Sequence, residues 1–507
     1  MNDESKTLRR MAELVFKCQE DGAVHALAPQ ARQILAVFRA LGTQITEAGD
    51  CAQMTWYYDR FARFFRAWVG GQVGPKPTLD EGCTFYDLLY MMKWRSISEP
   101  IDLTPFNDDV VAPFIAFTRE FPWPDEPENR LTVSGAEHPR LAYLVGWDNL
   151  SSSNACARVT WTTILGHLAL RKDPRSLVVY CTLAPKADLV EAARKASVEL
   201  KVMRRNGSHE AMARAILREA RQDRIDCLMF DTPDALTTLL VAKRMAPAQL
   251  YLEMGFDAWR APNIEFCFQC FSVRWETLTD TPDRCLRLPL VDHLDFLAPE
   301  RDPAAIEALR REVHGVLPDG KRPDVIYGFF GRMTKVTQPW LDLVERILLA
   351  TPRAVCFIGG GGGQSPIVDD FLKRSPVASR IVYHNRYVDG HIVGRVIDVF
   401  LDTFPFPGSL ACLECQAKGV PVVWLPGGYR DLMAERLELY RDVTLRAANE
   451  DEFVRIAVEL AGPDRRAEAS AHAHALARKF GNGEENAAQI EQVIRHFTVP
   501  AEPVLTT

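Results

Sequence analysis

Apolar residues recur at spacings of three and four through the first 130 positions. MAELVFKCQ, ARQILAVFRAL, MTWYYDRFARFFRAWV and FYDLLYMM each gather them on one helical face, and no strand-length run interrupts them. This predicts an all-helical N-terminal domain over 1–130. Seven of the thirteen positions from Trp56 to Trp68 are aromatic, with Arg60, Arg63 and Arg66 along one face. Such a stripe can stack single-stranded bases; on an amphipathic helix it reads first as core with one solvated basic edge.

The stretch FPWPDEPENR, residues 121–130, has the Pro-rich, charged character of a linker. Beyond it the period changes. RLAYLVGW, SLVVYCTL, ELKVMRR, DCLMFDT and QLYLEMGF are strand-length apolar runs, alternating with helical stretches such as HEAMARAILREARQ. After the charged connection LAPERDPAAIEALRREVHGVLPDGKRPD the alternation restarts with VIYGFFG, AVCFIGG, RIVYHN, VFLDTF and VPVVWLP. Strands alternating with helices of ~10–15 residues predict βαβ units on parallel sheets. Two doubly wound α/β domains facing each other across a cleft are therefore expected, over 131–315 and 316–507. The final helix, NAAQIEQVIRHF, is free to pack back on the N-terminal unit. Ligands of such sheets bind beyond the carboxyl ends of the strands, which makes the polar residues after each strand the candidates for chemistry.

Composition removes several classes. With 60 Lys+Arg against 67 Asp+Glu, a net charge of −7, the 507-residue chain lacks the basic footprint of a nucleic-acid binder. The N-terminus MNDESKTLRR does not read as a secretory signal, and no apolar run approaches the ~18 residues of a spanning helix. A cytoplasmic protein without membrane insertion is expected, its twelve cysteines reduced. The pairs Cys267/Cys270 and Cys412/Cys415 lie about 140 residues apart, whereas paired zinc-binding CxxC motifs have ~15–20 residues between them. Buried thiols are the better reading.

Three clusters can carry chemistry. In FFGRMTKVTQPWLDLVERIL, Gly331 ends a strand, Arg332 and Lys335 bracket the turn, and a helix starts near Gln338-Pro339. Two cations beside a helix N-terminus favour a phosphate or pyrophosphate. In PFPGSLACLECQAKGVPVVWLPG, Gly408-Ser409 opens a helix directly after a strand, and Glu414 lies in its second turn, where a carboxylate can accept two ribose hydroxyls. The run Gly359 to Gly363 lacks a following GK[ST], so it is an adaptable loop rather than a P-loop. Arg386, Tyr387 and His391 follow the next strand, placed to frame a nucleobase or a phosphate; His391 reads equally as a helix-start residue.

On these residues the region from about Arg140 to Pro463 resembles the catalytic part of the glycosyltransferase family that contains O-GlcNAc transferase and the soluble bacterial protein N-glycosyltransferases. The blocks RLAYLVGWDNLSSSNACARVTW, RIDCLMFDTPDALTTLLVAKRMAPAQLYLEMGFDAWRAP, FFGRMTKV and HIVGRVIDVFLDTFPFPGSLACLECQAKGVPVV follow in that family's order. The resemblance implies a GT-B architecture, two Rossmann-like domains after an all-α domain. It also implies donor-diphosphate binding by Lys335, a donor-site His391, a phosphate-gripping helix start at Gly408, Ser409 and Leu410, and a ribose-binding acid at Glu414. Four departures stand out. Arg332 replaces a Gln, Ser409-Leu410-Ala411 replaces His-Thr-Thr, Glu414 replaces Asp, and DNLSSSNA lacks the family's acceptor-side histidines.

The expected activity is a metal-independent, inverting transfer of sugar from a nucleotide sugar, UDP-sugar favoured, to an acceptor, most simply a protein side chain. No other cofactor is expected. Lys335, Arg332 and the helix start would neutralise the leaving diphosphate. Asp148, after the first strand, is the first candidate general base, and Asp257, after Gly255-Phe256, the second. A degenerate binding scaffold, a nucleotide-sugar epimerase and a phosphorylase-like enzyme remain open on the same architecture.

Overall fold

The computed structural model describes residues 3–21, 23–37, 39, 51–95, 104–121, 139–146, 155–203, 208–254, 259, 261–270, 284–317, 320–361, 366–404, 407–408, 410–426 and 445–498. They form two compact units, one of residues 1–288 with 484–507 and one of residues 289–483. The sequence pattern puts the break at 315/316. The second compact unit already begins at Pro289, taking in the helix Pro303–His314, and the final helix Glu484–Thr498 belongs to the first.

The first unit carries seven strands: β1 (Leu141–Val145), β2 (Leu177–Cys181), β3 (Glu199–Val202), β4 (Cys227–Phe230), β5 (Ala248–Glu253), β6 (Phe266–Gln269) and β7 (Cys285–Arg287). All pair in parallel, in the order β3-β2-β1-β4-β5-β6-β7. The central strands are buried at every position, as a sheet covered on both faces requires. Toward the edges the cover thins: β3 reads ELKV, with exposed and half-buried positions, and β7 is half-buried throughout.

The N-terminal helices share one core with this sheet. Tyr57, Tyr58, Phe61, Phe64, Phe65 and Trp68 on the helix Cys51–Val69 are all buried in the cluster that includes Leu144, Leu228 and Leu239. At ~1.5–3 kcal/mol per buried large apolar side chain, this aromatic face is core and offers no stacking platform. Arg60 lies 3.8 Å over the Trp56 ring, and Arg66 pairs with Asp109 at 3.1 Å. Polar bonds lock the helix Leu79–Arg95 to the sheet's helices: Tyr86 Oη donates to Pro233 O at 3.1 Å, and Asp87 Oδ1 accepts from Ala235 N at 2.8 Å. The final helix docks through a buried network in which Glu491 accepts from His167 Nδ1 at 2.5 Å and from Arg171 Nε at 2.6 Å.

The second unit carries β8 (Val325–Phe330), β9 (Ala354–Gly359), β10 (Ile381–His384), β11 (Val399–Leu401) and β12 (Val422–Val423), parallel and ordered β10-β9-β8-β11-β12. Both sheets are doubly wound. No helix among the described residues is long and apolar enough to cross a membrane.

Candidate functional site

The order of the second sheet reverses between β8 and β11. At such a switch point the loops leaving two adjacent strands diverge, and a ligand fits beyond their carboxyl ends. Gly331 and Arg332 leave β8 into the 3-10 turn Met333–Lys335. Asp402 leaves β11, and Pro407 and Gly408 lead into the helix Leu410–Ala417. Two clusters some seventy residues apart in the chain therefore meet at one point.

Lys335 joins them. Its Nζ donates to Pro407 O at 2.6 Å, and its backbone N–H bonds Arg332 O at 3.0 Å. Burial, with Arg332 beside it, pushes the Lys335 ammonium down to about 8, against the pull of Asp402. A cation kept from water and crowded by a second cation gains more than an exposed one from an arriving anion.

Asp402 was not singled out from sequence, although it stands directly after a strand and six residues before the glycine of a helix start. It is fully buried, and its Oδ1 accepts from Thr403 N at 2.8 Å and Gly408 N at 2.6 Å. Its carbonyl accepts from Trp340 Nε1 at 3.1 Å, while Thr337 Oγ1 donates to Phe404 O at 2.9 Å. These bonds hold the approach to the helix in one shape, and the turn into it closes with Ala411 N bonding Gly408 O at 3.2 Å.

The glycine run has a packing role at its start. A Cβ on Gly360 would stand 1.7 Å from Gly331 O, so only glycine lets the loop after β9 lie against the turn after β8. Gly331 N bonds Gly359 O and Met333 N bonds Gly361 O, each at 3.1 Å. The loop supports the Lys335 turn from below.

His391 is buried on the short helix Gly390–Val393, whose start is capped by Asp389. Gly390 lies against the end of β8, since a Cβ there would be 2.4 Å from Phe330 Cε2. Arg386 and the 77% exposed Tyr387 follow β10, two strands from β8. Glu414 is half-buried on the helix Leu410–Ala417. The structure thus gathers Gly331, Arg332, Lys335, Gly408 and Leu410 at the β8/β11 switch point, with His391 next to β8. Arg386 and Tyr387 stand at the sheet's far side, joined to it through Gly361, where a Cβ would be 3.4 Å from Tyr387 N.

Asp148, Asp257 and Ser409 lie outside the described residues. Cys267 and Cys270 belong to the first unit and Cys412 and Cys415 to the second. Among the described residues no group of three or more His, Cys, Asp or Glu side chains is arranged to hold a metal.

No protein-family model matches the chain. Over 151 residues it is 28% identical to the "Probable UDP-N-acetylglucosamine--peptide N-acetylglucosaminyltransferase SPINDLY" of Petunia hybrida, a match spanning 27% of this chain and 16% of the relative. Over 267 residues it is 24% identical to the protein so named in Arabidopsis thaliana, spanning 48% of this chain and 27% of the relative. The chain thus covers well under a third of either plant protein. Among solved structures it is similar to a mutant O-GlcNAc transferase of Thermobaculum terrenum, with a TM-score of 0.56 at 16% identity over 98% of both chains. A glycosyltransferase of Rickettsia africae ESF-5 matches with a TM-score of 0.52 at 13% identity, over 72% of this chain and 100% of that one. The chain has the GT-B fold of these enzymes.

Proposed function

We propose that the chain is a glycosyltransferase that moves a sugar from a nucleotide-sugar donor, UDP-sugar favoured, to a protein side chain. The observation that carries this reading is the Lys335–Pro407 bond at the β8/β11 switch point. It puts a half-buried ammonium, a second cation and a helix start around one position that a diphosphate would fill. As the bond from the sugar anomeric carbon to the diphosphate breaks, negative charge grows on the leaving oxygen. Lys335, Arg332 and the N-terminus of Leu410–Ala417 oppose that charge with fixed positive ends, which is chemistry that needs no metal. Gly408, Ser409 and Leu410 supply the backbone at that helix start, Glu414 and His391 serve the rest of the donor, and Arg386 and Tyr387 frame its outer end.

The UDP preference and the protein acceptor draw support from the name the two plant relatives carry. The acceptor belongs to the first unit. Asp148 and Asp257 are the sequence-based candidates for taking its proton in a single inverting displacement. A cytoplasmic setting suits the described cysteines, all of which are free thiols.

A thermal-shift screen of UDP-, GDP-, dTDP- and CMP-sugars tests the reading, followed by mass spectrometry of host proteins incubated with the best donor. UDP-sugars should stabilise the wild type, and a sugar mass should appear on protein. An isomerised sugar nucleotide with no acceptor modified would make the chain an epimerase, and no stabilisation by any donor would leave it a scaffold. Asp148→Asn keeping turnover within a few-fold would remove Asp148 as the base.

A further inference from the structure

The second unit has a cavity at the end of its sheet away from the proposed donor site. Asp398 precedes β11 and Asp402 follows it, so the two mark opposite ends of one strand. Asp402 stands with Lys335 and Gly408, whereas Asp398 lines a separate cavity of about 830 Å³. The walls come from the helix Pro303–His314, the segment 394–398, residues 418–420 leading to β12, and the start of the helix Pro463–Phe480. All of them lie in the second unit.

Four cations line this cavity, Arg310, Arg395, Lys418 and Arg466, against two carboxylates, Glu307 and Asp398. Both acids are engaged: Asp398 Oδ2 accepts from Ile326 N at 2.8 Å, and Glu307 Oε2 accepts from Arg310 Nη1 at 2.9 Å. The other cations are anchored by carbonyl oxygens. Arg395 donates to His391 O, Ala298 O and Pro299 O at 2.8, 3.3 and 2.6 Å. Arg466 donates to Leu460 O, Ala461 O and Asp324 O at 2.7, 2.9 and 3.4 Å, and Lys418 Nζ to Leu297 O and Glu414 O at 2.6 and 2.7 Å. A carbonyl fixes a cation in place without cancelling its charge. Burial and the neighbouring Arg301 lower the Arg395 guanidinium from its ordinary value, against Asp389 and Glu300, so an arriving anion relieves a standing cost.

The helix Pro463–Phe480 adds its positive end. Gly462 at its cap brings no side-chain acceptor, and Pro463 and Arg466 of its first turn line the cavity. Three arginine forks at one cavity suit the several oxygens of a phosphate group. The volume falls within the ~300–1,000 Å³ of small-molecule sites, and Ile306, Ile397 and Val420 give it an apolar wall. Among the described residues no aromatic ring lines it, so a base would find nothing to stack on.

We propose that this cavity binds a small organic phosphate, a phosphorylated sugar or polyol, at a site separate from that of the donor. The cations hold the phosphate and the apolar wall meets the carbon body. Nothing at this site depends on Lys335 or on which donor the chain uses.

Titration calorimetry at low ionic strength tests it, with glycerol 3-phosphate, ribose 5-phosphate, glucose 6-phosphate and inorganic phosphate as probes. Each is titrated into full-length wild type, Lys335→Ala, Arg466→Gln and Ala467→Glu. Ala467 is exposed and lines the cavity, so Ala467→Glu brings in a negative charge without touching the core; it carries the test alone if Arg466→Gln, which gives up carbonyl anchors, lowers the unliganded thermal midpoint. The expected result is that at least one of the organic phosphates binds wild type and Lys335→Ala alike, and that its affinity falls by at least about ten-fold in Arg466→Gln and Ala467→Glu, the loss of one charged hydrogen bond. Inorganic phosphate should bind more weakly than that probe. Binding lost in Lys335→Ala but unchanged in Ala467→Glu would put the phosphate at the donor site and overturn the proposal. So would the absence of binding by wild type, or inorganic phosphate binding as tightly as the organic probes.

Discussion

Lys335 Nζ donates to the carbonyl of Pro407 at 2.6 Å, tying the turn after β8 to the segment that opens the helix after β11. One charged hydrogen bond thereby couples the two halves of the proposed donor site. Its cation also sets how that site responds to pH.

With burial and Arg332 holding the Lys335 ammonium down at about 8, the free protein loses this charge within the accessible range. A diphosphate needs the charged form, so UDP affinity should be constant below pH 7 and fall as pH rises through about 8. Titration calorimetry across pH 6.5–9.5 checks this; an affinity flat to pH 9.5 would contradict it.

Gly360→Ala puts a methyl group 1.7 Å from Gly331 O, and the backbone on one side must move. Overpacking of this kind costs about 1–3 kcal/mol. The thermal midpoint should drop, and donor-induced stabilisation should shrink with it because the displaced turn carries Lys335. A variant with wild-type donor response would show that the two loops adjust independently.

Asp402→Ala leaves the buried Thr403 N–H and the half-buried Gly408 N–H without their carboxylate. Hydrogen bonds to a charged group are worth about 1.5–3 kcal/mol each. Stability should fall by about that amount or more, and donor binding by at least ten-fold, since Gly408 leads into the helix Leu410–Ala417 proposed to hold the diphosphate. Chemical denaturation and calorimetry give the two numbers.

Glu491 ties the final helix to the first unit. Burial opposes its charge, but the bonds from His167 and Arg171 prevail and hold its carboxyl at about 2, below the ordinary 4.5. Because the folded value lies below the unfolded one, this network stabilises the fold above about pH 4.5, and the benefit drains away as pH falls toward 2. Glu491→Gln should cost about 3–5 kcal/mol at pH 7, because Arg171 is left buried without its partner, and should flatten the acid limb of the stability profile.

Strand runs such as LVVYC and VIYGFF are continuously apolar because both faces of their sheets are covered, so they could be read without tertiary information. Lys335 and Gly408 were legible for a related reason: each follows such a run within a few residues. The strand Cys285–Arg287 was missed because three half-buried residues carry no period. Asp402 was hidden because its Oδ1 is held by backbone N–H groups, which no side-chain motif records.

Calorimetry of UDP with the wild-type chain and with Lys335→Ala tests the central claim most directly. The account predicts binding by the wild type that weakens at least ten-fold in Lys335→Ala, the loss expected for one charged hydrogen bond of about 1.5–3 kcal/mol. Equal affinity in the two proteins, or no binding by the wild type, would contradict it.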